Sequence, residues 1–156
     1  MQFRGGWTYD RDQLWQRAGC APADMDFVQT YDDYPVISLM QLEDLGFFEK
    51  GAGDAFIAGH DLTCGGSFPH NTSGGQLSVG QAGAAGGFLG IVEAVRQLTG
   101  SAIGAAVPNA RRALVSGFGM VNYDRGVCSA AAVLERANQP ATAARHPTTT
   151  ESEAAA

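Results

Sequence analysis

The sequence predicts an α/β layered domain. Amphipathic segments with helix start and stop signals alternate with short apolar segments of strand character. Polar residues gather where those short segments end and glycine-rich stretches begin, which is where open α/β sheets bind ligands. Only three strands stand out, few for such a sheet.

The elements follow in order. Residues 10–19, DRDQLWQRAG, form a helix with Asp10 as cap, Leu14, Trp15 and Ala18 on one face, and Gly19 as its stop. CAPADMD is a turn, and DFVQTYD is a short buried strand with a polar end. Pro35 suits the first turn of a second helix, in which Val36, Leu39, Met40 and Phe47 are core candidates and Gly46 lies near the end. Residues 51–69 read as an irregular connection. A third helix spans 86–98 and stops at Gly100. RRALVSGFGM and VCSAAAVLER are strands, joined through residues 116–126. The domain is therefore 1–137. The tail, 138–156, has small polar residues, two prolines and no periodicity, and is expected to be disordered.

Composition bounds the function. A net charge of −6 over 156 residues, with one lysine, argues against a nucleic-acid surface and a polybasic membrane patch. No apolar run has the roughly 18–20 residues of a membrane span. MQFRGGWTYD has no apolar signal core, and Cys20, Cys64 and Cys128 form no CxxC pair, so a cytoplasmic chain with reduced thiols and no metal site is expected.

Three polar stretches are candidate sites. TYDDYP ends the first strand: Tyr31 there could act as acid/base beside Asp32, or the segment could be a plain turn with Asp32 or Asp33 capping the next helix. NTSGGQLSVGQAGAAGG permits positive φ and close backbone approach to a ligand, and ends at a helix N-terminus; a tight structural crossover is the alternative. It matches neither a P-loop nor GxGxxG in a βαβ unit. In SGFGMVNYDRG, Tyr123 and Asp124 sit at the tip, as part of a site or as decoration of a hairpin loop. His60 and His70 read as surface loop residues, His146 lies in the tail, and Cys64 reads as structural.

NTSGGQLSVGQAGAAGG followed by IVEAVRQLTG resembles the C-terminal half of thiolase-superfamily enzymes, with their Asn-x-x-Gly-Gly run, Gly-His-Pro-type turn and helix with Glu-Ala and Gln-Leu-x-Gly. The likeness extends through VQTYDDYPVISLMQLEDLGFFEKGAGDAFIAGH and RRALVSGFGM…CSAAAVLER, about residues 8–136, and is nearest to the sterol-carrier-protein-X type and the lipid-transfer-protein-like thiolases and aldolases. It implies a partial thiolase-like C-terminal domain, with helices layered on a mixed sheet.

The resemblance also implies roles. Tyr31 stands where sterol-carrier-type enzymes have His in HDCF; a Tyr there is typical of the retro-aldolases. Gln81 stands at the Gly-His-Pro histidine and can hydrogen-bond but not exchange protons near neutral pH. Val115 stands at the second thiolase cysteine, and Cys128, thirteen residues on, is not its substitute. Asn71, Gly74, Gly75 and Gly83 would shape the substrate pocket with Asp32, and Tyr123 would close it.

The acylated cysteine of the family belongs to an N-terminal half outside this sequence, so the chain is expected to work with a thiolase-like N-terminal half or homologous subunit, as part of an oligomer and inactive alone. A small zinc-ribbon/OB-fold accessory protein is a further partner that the resemblance implies. The expected function is acyl transfer of the 3-oxoacyl-CoA thiolase type on acyl-CoA substrates, with coenzyme A entering as thioester and no cofactor bound by the chain. The alternatives are retro-aldol cleavage of a 3-hydroxyacyl-CoA with Tyr31 as acid/base, and a non-catalytic subunit of a thiolase-like complex.

Overall fold

Successive residues of one short strand face opposite ways, and each face here meets a helix layer. The computed structural model describes residues 5–80, 83–122 and 125–137. In chain order the elements are α1 (Trp7–Ala18), β1 (Phe27–Gln29), α2 (Pro35–Leu45), α3 (Gly53–Gly59), α4 (Gly75–Val79), α5 (Leu89–Thr99), β2 (Arg112–Asn122) and β3 (Arg125–Glu135). The sheet order is β1-β2-β3. β1 runs parallel to β2, with Phe27, Val28 and Gln29 opposite Ala113, Leu114 and Val115. β2 and β3 are antiparallel. The sheet is mixed, as expected, and Val28 also makes an isolated parallel bridge to His70 on the far side of β1.

The alternation divides the core in two. Phe27, Ala113 and Val115 pack with Ala94 and Leu98 of α5. Val28 and Leu114 pack with Trp7 and Trp15 of α1 and Leu42 and Leu45 of α2. Both indoles are anchored as well as buried: Trp15 Nε1 donates to the Leu45 carbonyl at 2.9 Å, and Trp7 Nε1 to the Ala130 carbonyl at 3.1 Å.

Several boundaries differ from the sequence reading. α1 starts at Trp7, because that indole extends the apolar stripe one turn earlier; Asp10 lies in the first turn and does not cap it. The predicted stops at Gly19, Gly46 and Gly100 hold, each a left-handed C-cap. In α2 the buried residues are Ser38, Gln41, Leu42, Asp44 and Leu45. Val36, a core candidate, is 60% exposed, and Leu39 and Met40 are half-buried. Neither Asp32 nor Asp33 caps α2, whose N-cap is Tyr34 without a side-chain bond.

The connection 51–69 contains α3, whose Phe56 stacks on His60, tilts against Phe48 and meets Phe68 edge-on. The third helix begins at Leu89 after a 3-10 turn, Gly83–Phe88. Residues 116–122, read as part of a joining loop, belong to β2. Gln81, Tyr123, Asp124 and the tail from 138 lie outside the described residues. No helix among the described residues is long and apolar enough to cross a membrane.

Candidate active site

The carboxyl ends of two parallel strands leave a crevice where the chain turns away, and polar side chains there face a ligand. Just past the carboxyl end of β1, beside the middle of the longer β2, the structure has a cleft, about 70 Å³, walled by the start of α5 and by α4. Tyr31 and Asn71 line it on one side and Val115, Ser116 and Phe118 on the other. Gly90 lets α5 lie close: a Cβ there would stand 3.3 Å from Val115 Cγ1 and 3.4 Å from Gln29 Cβ.

Tyr31 is placed by a fully buried carboxamide. Gln41 Oε1 accepts from Tyr31 N at 3.1 Å and from Ser116 Oγ at 2.7 Å. Gln41 Nε2 donates to the Tyr31 carbonyl at 2.6 Å and to the Ile37 carbonyl at 3.0 Å. Every hydrogen-bonding position of that amide is used, and both backbone groups of Tyr31 are held by it. The Tyr31 ring rests against Phe118, with centroids 6.2 Å apart.

The residue before it is held from the other side. Thr30 N donates to Asn71 Oδ1 at 2.8 Å, while Asn71 N donates to the Val28 carbonyl at 2.9 Å. Thr30 Oγ1 donates to Ser38 Oγ at 2.9 Å, and Ser38 donates onward to the Tyr31 carbonyl at 3.3 Å. With those protons committed, His70 donates from Nε2, which lies 2.7 Å from Thr30 Oγ1. Burial pushes the His70 pKa down to about 4, against the opposite pull of the nearby Asp32 charge, so the imidazole is neutral at neutral pH. His70 is therefore not the surface residue the sequence suggested; it is partly buried and bridged to β1.

Asp32 turns away from α2 and accepts from Gln76 N at 2.7 Å with Oδ1, so it caps α4, forty-four residues on. That contact explains Gly75. Gly75 has φ +67°, and a Cβ on it would come 1.8 Å from Asp32 Oδ2. Gly74 has φ +86°, and its Cβ would press on Ser78. The close approach expected of the glycines is made here to a carboxylate of the same chain. A second relay ties this loop to α5: Gln29 Nε2 donates to Thr72 Oγ1 at 2.8 Å, and Thr72 to the buried Glu93 Oε1 at 2.6 Å.

The structure thus brings Tyr31, Asn71 and Gly75 to the cleft, while Asp32 and Gly74 line a neighbouring cavity with His70 and α2. Gly83 opens the turn into α5, and from that stretch Gly87 and Gly90 line the cleft. Gln81 and Tyr123 fall outside the described residues. Thr30, Gln41, His70 and Gln76 were not foreseen. For Gln41 the available signal was a polar residue beside Leu42 and Leu45 at core spacing. Among the described residues no group of three or more His, Cys, Asp or Glu side chains gathers as a metal site.

Fold and site together define an α/β domain with a polar cleft past the carboxyl end of β1, beside β2 and a glycine-capped turn. Residues 11–136 match the family described as "Thiolase C-terminal domain-like", and the chain belongs to that family. It is 43% identical over 91 residues to the 17-hydroxy-3-oxo-4-pregnene-20-carboxyl-CoA lyase of Mycobacterium tuberculosis, a match covering 58% of this chain and 23% of that protein. It is 32% identical over 108 residues to sterol carrier protein 2 of Rattus norvegicus, covering 69% of this chain and 20% of that one. Among solved structures it resembles an "Ltp2-ChsH2(DUF35) aldolase", with TM-score 0.62 and 36% identity over 70% of this chain and 28% of that one. The chain thus spans about a quarter of the length of these relatives.

Proposed function

We propose that this chain supplies part of the active site of a thiolase-fold enzyme that cleaves a carbon–carbon bond of an acyl-CoA thioester by retro-aldol chemistry. One observation favours this over the acyl transfer expected from the sequence. The cleft pairs a tyrosine with a hydrocarbon: Val115, at the position where the thiolase resemblance would put a cysteine, is 7% exposed on β2 and offers no proton. The lyase and aldolase relatives point the same way.

In this reaction the proton of a 3-hydroxyl passes to the acid/base. The C2–C3 bond breaks with its electron pair going to the thioester enolate, and carbon 3 leaves as a carbonyl compound. The enolate then takes up a proton to give the shortened acyl-CoA. Tyr31 is the acid/base in this reading, held at the crevice by Gln41. The remainder of the pocket comes from a thiolase-like partner polypeptide, with a zinc-ribbon/OB-fold accessory protein as a further partner.

The test uses the chain together with the polypeptides that co-purify with it. A 3-hydroxyacyl-CoA with a tertiary hydroxyl should be split into a ketone and a shorter acyl-CoA without added free CoA. Tyr31→Phe should lower kcat by roughly 10²- to 10⁴-fold with substrate binding kept. Unchanged turnover by that variant overturns the assignment. Cleavage of a 3-oxoacyl-CoA that depends on free CoA and yields two acyl-CoA products, with the tertiary 3-hydroxyacyl-CoA left intact, would mean thiolysis, and full turnover by the partner alone would mean a structural role.

A further inference from the structure

One residue that lines the cleft carries a buried polar atom with no hydrogen-bond partner among the described residues. Gln76, on α4, lines the cleft with Tyr31 and is only 9% exposed, yet its Oε1 is buried without a hydrogen-bond partner among the described residues. The only other such buried side-chain atom among them, Thr8 Oγ1, belongs to α1, away from the cleft. A buried carbonyl oxygen left unpaired is costly, so it persists where a donor arrives from outside or where function requires it.

The backbone around Gln76 is rigidly set. Its N–H is taken by the buried Asp32, and the two residues before it are the left-handed glycines. The backbone that carries this amide is therefore fixed and not a loose loop. The cleft volume, about 70 Å³, has room for a carbon with its hydroxyl.

We infer that Gln76 is a specificity-determining residue whose side-chain oxygen accepts a hydrogen bond from the hydroxyl of a hydroxyacyl thioester, orienting that hydroxyl beside Tyr31. This rests on the retro-aldol reading and names the substrate group that the cleft selects. A site built to accept from a hydroxyl discriminates strongly against an analogue that lacks it, because the acceptor is then left unpaired. Gln76 holds the hydroxyl and does not take its proton, since a carboxamide has no basic pKa in the working range.

The experiment measures binding of two thioesters to the co-purified complex: a 3-hydroxyacyl-CoA and the same acyl-CoA without the hydroxyl. Wild type, Gln76→Leu and Tyr31→Phe are compared. The wild-type complex should prefer the hydroxylated thioester by at least 10-fold. Gln76→Leu should abolish that preference while binding the deoxy thioester at least as well as wild type and melting no lower, because it replaces an unpaired buried amide by a hydrocarbon of similar size. Gln76→Glu, which keeps an acceptor, should retain the preference.

If Gln76→Leu weakens both thioesters equally, the residue is merely structural and the inference fails. If it leaves the preference intact, an ordered water satisfies Oε1 and the inference fails. In both cases a Tyr31→Phe variant that binds substrate but has lost turnover keeps the retro-aldol reading standing. A complex that binds neither thioester overturns both.

Discussion

Single residues decide whether this site is legible. Read by hydrophobicity, α2 points Val36, Leu39 and Met40 inward. The buried face instead carries Ser38 and Gln41 beside Leu42 and Leu45, at the same helical spacing. Two polar residues in the stripe conceal it, and they are there because the end of β1 has backbone groups that must be satisfied. Tyr31, Asp32 and Asn71 were visible in the sequence as polar residues at a strand end and in a glycine-rich run. Their bonding partners were not, since each lies on another element.

His70 is the sharpest case. Burial lowers its pKa from 6.5 to about 4. Its contribution is complete above pH 6.5 and is lost as pH falls from there toward 4, because the unfolded chain takes up the proton first. The loss is on the order of 3 kcal/mol. His70→Gln keeps a donor toward Thr30 and should flatten this slope. Urea midpoints at pH 7 and pH 4.5 check it: equal losses for wild type and variant would mean that another group titrates.

At the scale of elements, the glycine-rich segment was legible as a place of close approach, but its target was not. The turn at Gly75 is shaped by Asp32. Gly75→Ala meets both a left-handed φ and the Asp32 carboxylate, and should cost about 2 kcal/mol or more. Gly59, on α3, has open space where its Cβ would stand, so Gly59→Ala should be neutral or slightly stabilising. Denaturation curves of the two variants decide this, and equal costs would remove Asp32 as the cause. The hairpin of β2 and β3 was read as two strands and a loop. The strands extend to Asn122 and from Arg125, further than composition suggested, because their glycines and polar residues pair as well as the apolar ones.

Across the whole molecule, α5 is the element with two demands on it. One face, Ala94 and Leu98, closes the core under the sheet. On the other, Ile91, Val92 and Val95 are 38%, 43% and 44% exposed. A helix apolar on both sides suits a position between two layers, which fits a chain spanning about a quarter of the length of its relatives. The expected outcome of a native-mass measurement on the chain purified from its own host is a complex in fixed ratio with a thiolase-like polypeptide. A monodisperse single chain that binds no acyl-CoA would overturn both the partner and the enzymatic reading.

The cleft opens where β1, only three residues long, meets a strand more than eighty positions later in the chain. A ligand gripped between Tyr31 and Ser116 thereby bridges the two ends of that long excursion. Its binding free energy adds directly to the grip of β1 on β2, by RT ln(1 + [L]/Kd). On the proposed reading, ligand occupancy and retention of the shortest strand are one equilibrium, so a saturated protein would also be the one that resists unravelling and proteolysis best.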